Sequence, residues 1–115
     1  MLKLNPKPTF DADVKITVPG QSEAGTMKLT FKYMPKRALF DFFETHRAEY
    51  SDDGEVVKEA SADEVMLADI IVGWKGMDAE YNPGNLKIFL DNYPAAAGEI
   101  IVAYNKLVLE SRVKN

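Results

Sequence analysis

Two stretches in the first third of the chain, residues 12–18 and 27–33, alternate between apolar and polar positions. Ala12, Val14, Ile16 and Val18 are apolar, and Asp13, Lys15 and Thr17 between them are polar. A period of two is the mark of a strand with one buried face. Pro19-Gly20 stops the run, and Gln21 to Gly25 is small and turn-rich. Met27, Leu29, Phe31 and Tyr33 then alternate with Lys28, Thr30 and Lys32. Two such runs around a glycine-containing loop predict an antiparallel β-hairpin over about residues 11–34. A lone hairpin is marginal in water. Its apolar face must lean on helices, or its edge must recruit strands from another chain. Ahead of it, residues 1–9 hold Pro6 and Pro8 and little pattern. They read as an extended arm: a frayed terminus in the plain reading, a docking arm for a neighbouring subunit in the sharper one.

The period then lengthens. Leu39, Phe43, His46 and Tyr50 recur at helical spacing, widened by Phe40 and Phe42. Pro35 suits a first helical turn, so a helix is predicted over about residues 35–50. Ser51-Asp52-Asp53-Gly54 ends it and opens a flexible acidic linker over about 51–60. Ser61 and Glu64 spell a capping box ahead of Leu67, Ile70, Ile71 and Trp74, predicting a second helix over about 61–74 that Gly73 and Gly76 loosen at its end. Asn82-Pro83 pairs a capping residue with a proline suited to the first helical position. It opens a third helix, about 83–91, carrying Leu86, Phe89 and Leu90. After Pro94, the residues Ala97, Ile100, Ile101, Tyr104, Leu107 and Val108 form the stripe of a fourth helix over about 94–112. Arg112 and Lys114 near its end suit the helix dipole. A hairpin followed by about four helices, with no βαβ alternation, defines the α+β class.

Composition narrows the picture. A chain of 115 residues fits a single domain, and 46% hydrophobic with 28% charged residues argues against disorder. The balance of 18 acidic to 14 basic residues gives net −4, with no basic run beyond Lys36-Arg37. A nucleic-acid partner, which needs a basic field, is therefore not expected. There are no cysteines, which excludes disulfides, thiolate chemistry and cysteine metal sites and fits a reducing cytoplasm. The first residues lack the apolar region of a signal peptide. No apolar run approaches the roughly 20 residues of a bilayer span, so no membrane association is expected.

The search for chemistry returns no catalytic, cofactor or metal site. His46 is the only histidine, and zinc needs about three or four ligands. It reads as a packed structural residue. Ser22, Ser51, Ser61 and Ser111 sit in turns, caps or helix ends, with no G-x-S-x-G elbow. Gly73-Trp74-Lys75-Gly76 has the wrong spacing for a phosphate loop. Asp52-Asp53-Gly54 lacks the alternating ligands of a calcium loop. The acidic residues read as a solvated face, which leaves a carboxylate hydrolase without support and points to a binding protein that is not an enzyme. Aromatic side chains are the remaining candidates. Core is the preferred reading for Trp74 and Tyr104, but Tyr and Trp also dominate binding hot spots. Trp74, Tyr81 and Tyr93 in the C-terminal half, with Phe31 and Tyr33 on the hairpin, form the candidate protein-binding set.

From about Asp63 to Asn115 the chain resembles the tail assembly chaperones of long-tailed double-stranded DNA phages, with a weaker echo in the hairpin. The residues carrying this are Ile70-Ile71-Val72-Gly73-Trp74, Met77-Asp78, Tyr81-Asn82, Asn85-Leu86, Leu90-Asp91-Asn92-Tyr93-Pro94, Ile100, Ala103-Tyr104 and the terminal Lys114-Asn115. The family has no catalytic residues to transfer. The resemblance implies a protein that coats the helical tape measure protein, keeps it soluble and helps recruit major tail protein as the tube polymerises. It also implies action in the host bacterial cytoplasm, absence from the finished virion, and correspondence to the shorter of two forms made by frameshifting. Repeated copies along a rod imply self-association into rings or spirals. The alternative is a structural protein of the tail or head–tail connector.

Overall fold

The computed structural model describes residues 1–110. Strands β1 (Thr9–Ile16) and β2 (Gly25–Lys32) form the expected antiparallel hairpin, in register from Thr9 opposite Lys32 to Ile16 opposite Gly25. Near its tip, Pro19 fixes the first central position of a turn. Gly20, with φ of +80°, takes the left-handed second position, and Gln21 N–H donates to the Val18 carbonyl at 3.1 Å. Val14, Ile16, Met27, Leu29 and Phe31 are buried on one face. The opposite face is polar: Lys28 Nζ meets Asp13 at 3.0 Å, and Thr30 Oγ1 donates to Asp11 at 2.7 Å.

The first helix is shorter than its apolar stripe suggests. α1 spans Lys36–His46, with Pro35 at its N-cap position and not inside its first turn. The chain then forms a small ribbon from β3 (Glu49–Tyr50) and β4 (Val56–Lys58), joined across Ser51-Asp52-Asp53-Gly54. The stretch expected to be a flexible linker is thus largely paired. Ser51 N–H donates to the Glu55 carbonyl at 2.8 Å, and Gly54 N–H to the Ser51 carbonyl at 2.9 Å. The Ser51 hydroxyl also holds the Asp53 carboxylate, which keeps that group below its ordinary pKa range.

The second expected helix is a correction of larger consequence. α2 spans only Asp63–Ala68, and the chain continues as β5 (Ile71–Lys75), antiparallel to β2. The hairpin is therefore part of a three-stranded sheet of order β1-β2-β5, and Trp74 stands on a strand opposite Leu29. Two causes act together. Ile70, Ile71 and Val72 are consecutive β-branched residues, which favour a pleated surface. The open edge of β2 offers unpaired backbone groups that β5 satisfies. The capping box does not form either: Ala62 is the N-cap of α2, with no side-chain cap. Ser61 instead engages His46, its Oγ lying 2.7 Å from Nδ1, while Nε2–H donates to Asp69 Oδ2 at 2.6 Å. His46 is buried and clasps the end of α1 to both ends of α2, in agreement with its reading as a packed structural residue.

α3 (Pro83–Asn92) begins as its sequence predicts. Asn82 Oδ1 accepts the Asn85 N–H at 2.8 Å, and Pro83 occupies the first helical turn. Asn82→Ala is expected to lower stability by about 1 kcal/mol, the usual worth of such a cap, read as a shift in the urea midpoint. α4 (Ala96–Leu109) follows; the expected cations Arg112 and Lys114 lie outside the described residues. Buried Ala96, Ile100 and Tyr104 of α4, Leu86, Phe89 and Leu90 of α3, and Leu67 of α2 pack with the apolar sheet face in one cluster. Glu99 ties α4 to the end of β1 through Thr17, accepting its backbone N–H at 2.9 Å.

Candidate protein-binding surfaces

Trp74, Phe89 and Tyr93 line one cleft, and Tyr81 packs against Trp74. The Trp74 ring meets Tyr81 edge-on at 5.1 Å and Phe89 at 5.6 Å, and Phe89 meets Tyr93 at 5.1 Å. The polar tips are anchored: Trp74 Nε1–H donates to the Ala79 carbonyl at 2.8 Å, and the Tyr81 hydroxyl to the Ile71 carbonyl at 3.1 Å. Burial raises the Tyr81 hydroxyl above its ordinary pKa. The loop between β5 and α3 turns tightly under the sheet at Gly76, whose φ is +92°. A side chain there would also sit 3.4 Å from the backbone of Thr26 and Met27. The result is a cleft of about 210 Å³ whose lining includes Trp74, Met77, Ile88, Phe89 and Tyr93. Asp78 and Asn92 also line it, and Asp91, paired with Lys87 Nζ at 3.1 Å, lies beside Asn92 on α3. Met77 and Tyr93 also line a smaller hollow beside Ile16, Val18 and Met27.

A second groove opens at the other end of the sheet. Its volume is about 660 Å³, and Phe10, Tyr33, Met34, Leu39, Leu107 and Val108 line it, with Lys36 on its wall. Lys36 also borders an adjoining hollow with Arg37 and Phe40.

The five sequence candidates therefore separate. Trp74 and Tyr93 line the aromatic cleft, Tyr81 packs on Trp74 behind it, and Tyr33 lies on the second groove. Phe31 is the correction: it is 0% exposed, packed between Phe10 and Tyr104, and offers no surface to a partner. The sequence reading missed Ile88, which is 58% exposed at the aromatic cleft. The signal was present, because Ile88 falls off the stripe of Leu86, Phe89 and Leu90, where a short amphipathic helix should be polar.

The described residues thus form an open sheet backed by helices, with apolar clefts at two of its margins. Among the described residues, no three His, Asp or Glu side chains gather as a metal site, and no helix is long and apolar enough to cross a membrane. The whole chain, residues 1–115, matches the family model for phage tail assembly chaperones, and the chain belongs to that family. The resemblance carried by the C-terminal half thus extends through the hairpin as well. Membership implies a non-enzymatic role in tail assembly, exercised through contacts with tail proteins. No curated protein and no solved structure matches the chain.

Proposed function

We propose that this chain, folding as a single domain in the host bacterial cytoplasm, coats the tape measure protein and keeps it soluble. It helps recruit major tail protein, self-associates as it does so, and leaves before the virion is complete. The observation that carries this reading is the aromatic cleft. An amphipathic helix is recognised when its apolar anchors seat in a preformed hydrophobic groove. Trp74 and Tyr93 supply rigid apolar walls, Met77 an adaptable one, and Ile88 an exposed apolar edge. Hydrogen bonds fix Trp74 and Tyr81 before any partner arrives, so little side-chain entropy is lost on docking.

Co-expression with the tape measure protein tests the reading. The tape measure protein is expected in the soluble fraction and in a pull-down with this chain. Its persistence in the insoluble fraction, with this chain abundant and folded, would overturn the proposal.

A further inference from the structure

The second groove carries an electrostatic anomaly. Lys36 and Arg37 open α1, and no acidic residue lies in its first turn. Helix N-termini favour anions, so two cations there oppose the dipole. Neither makes an ion pair with a described residue. Lys36 lines the apolar groove and, with Arg37, borders the adjoining hollow at the largely exposed Phe40, on a chain of net charge −4. Local sequence choices that oppose the fold are expected where a site serves binding.

The β3–β4 ribbon offers the opposite chemistry. Between Glu49 and Glu59 it holds Glu49, Asp52, Asp53, Glu55 and Glu59 against Lys58 alone. Only Glu49 of these acids is ion-paired among the described residues, with Lys58 Nζ at 3.7 Å. Its apolar side chains are unsheltered: Tyr50 is 64%, Val56 51% and Val57 67% exposed. The Ser51 turn holds the ribbon in shape. Lys58 Nζ, donating to the Glu44 carbonyl at 3.1 Å, fastens it to α1.

We propose that the acidic ribbon of one copy docks in the basic-rimmed groove of the next, Tyr50 and Val57 entering the apolar floor while Asp52, Asp53 and Glu55 face Lys36 and Arg37. The groove lies at the start of α1 and the ribbon beyond its end. Eleven residues of helix, rising about 1.5 Å each, separate them by roughly 16 Å, so a copy does not reach its own groove. The contact is head-to-tail, and such contacts propagate as rings or filaments. This inference rests on the self-association proposed above and names its two surfaces.

A charge-swap experiment tests it. One variant carries Lys36→Glu and Arg37→Glu; the other carries Asp52→Lys, Asp53→Lys and Glu55→Lys. Sedimentation velocity over a concentration series should show wild-type assemblies that weaken as salt screens the contact. Each variant alone should associate at least about ten-fold more weakly, as repelling charges at one contact dictate. An equimolar mixture should regain assembly, since each groove then meets a complementary ribbon. The groove variant places acids at a helix N-terminus and should melt no lower than wild type, so its loss of assembly is not a loss of fold. A monomeric wild type, variants that assemble as wild type does, or a mixture that stays monomeric overturns the inference. So does a groove variant that assembles normally but loses the tape measure protein, which would assign the groove to that partner. Solubilisation by wild-type chain is scored separately, so the chaperone reading stands or falls on its own result.

Discussion

Tyr104→Ala is expected to lower stability by about 3–5 kcal/mol, the range for deleting a large buried aromatic ring. Against a total of about 5–15 kcal/mol for a domain, that loss is a large share of the stability. The reason is position. Tyr104 is fully buried, with its ring 5.1 Å from Phe31 and 6.2 Å from Phe10, so one side chain joins α4 to both strands of the hairpin. Its hydroxyl donates to the Lys32 carbonyl at 2.8 Å. Tyr104→Phe keeps the ring and should cost only about 1 kcal/mol for the lost hydrogen bond. Urea unfolding followed by circular dichroism separates the two; equal losses would show that the ring is not the source of the stability. Burial also pushes the Tyr104 hydroxyl up to about 12. Its folded value exceeds its unfolded value of 10.0, so its contribution is intact below the lower value and is lost as pH rises through the upper one. Tyr104→Phe should remove that part of the alkaline sensitivity.

Ile88→Asp should abolish capture of the tape measure protein while leaving the melting curve near that of wild type. Ile88 is largely exposed, so replacing it takes little from the core. A carboxylate there places charge in an apolar cleft whose lining already includes Asp78. Forcing an unpaired carboxylate against an apolar partner commonly costs about 2 kcal/mol, roughly thirty-fold in affinity. Pull-down yield beside a thermal melt provides the measurement. Undiminished capture by a folded Ile88→Asp protein would remove the aromatic cleft from the interface. Trp74→Ala is a weaker discriminator, because Trp74 also packs on Phe89 and its loss acts on folding and binding together.

The features legible in the sequence are those fixed by short-range physics. Strict alternation in residues 12–18 and 27–33 marks the hairpin faces, and Asn82-Pro83 marks a helix start from two neighbouring residues. β5 was hidden because Leu67, Ile70, Ile71 and Trp74 satisfy helical spacing, while the edge of β2 that claims the strand lies far away in the chain. The β3–β4 ribbon was hidden because two- and three-residue strands are too short to display a period. The Ser61 motif was misread because His46, distant in sequence, engages its hydroxyl. At the aromatic cleft, Trp74, Tyr81 and Tyr93 were legible as residue types with a polar tip and an apolar body. Phe31 was misplaced because a hairpin sequence shows which residues share a face but not how deeply helices will cover them.

The pairing of β2 with β5 sets the order in which the protein can form. Its partners Leu29 and Trp74 are separated by all of α1, the β3–β4 ribbon and α2. During synthesis the hairpin is complete long before β5 leaves the ribosome. Until then β2 carries an open edge, and its apolar face lacks α3 and α4, which are made later still. Non-local pairing of this kind slows folding, and an isolated hairpin has little stability of its own. An N-terminal fragment ending before β5 should therefore aggregate instead of folding, and a nascent chain stays sticky until its final helices emerge. A protein proposed to shelter another chain thus passes through an interval in which it needs shelter itself.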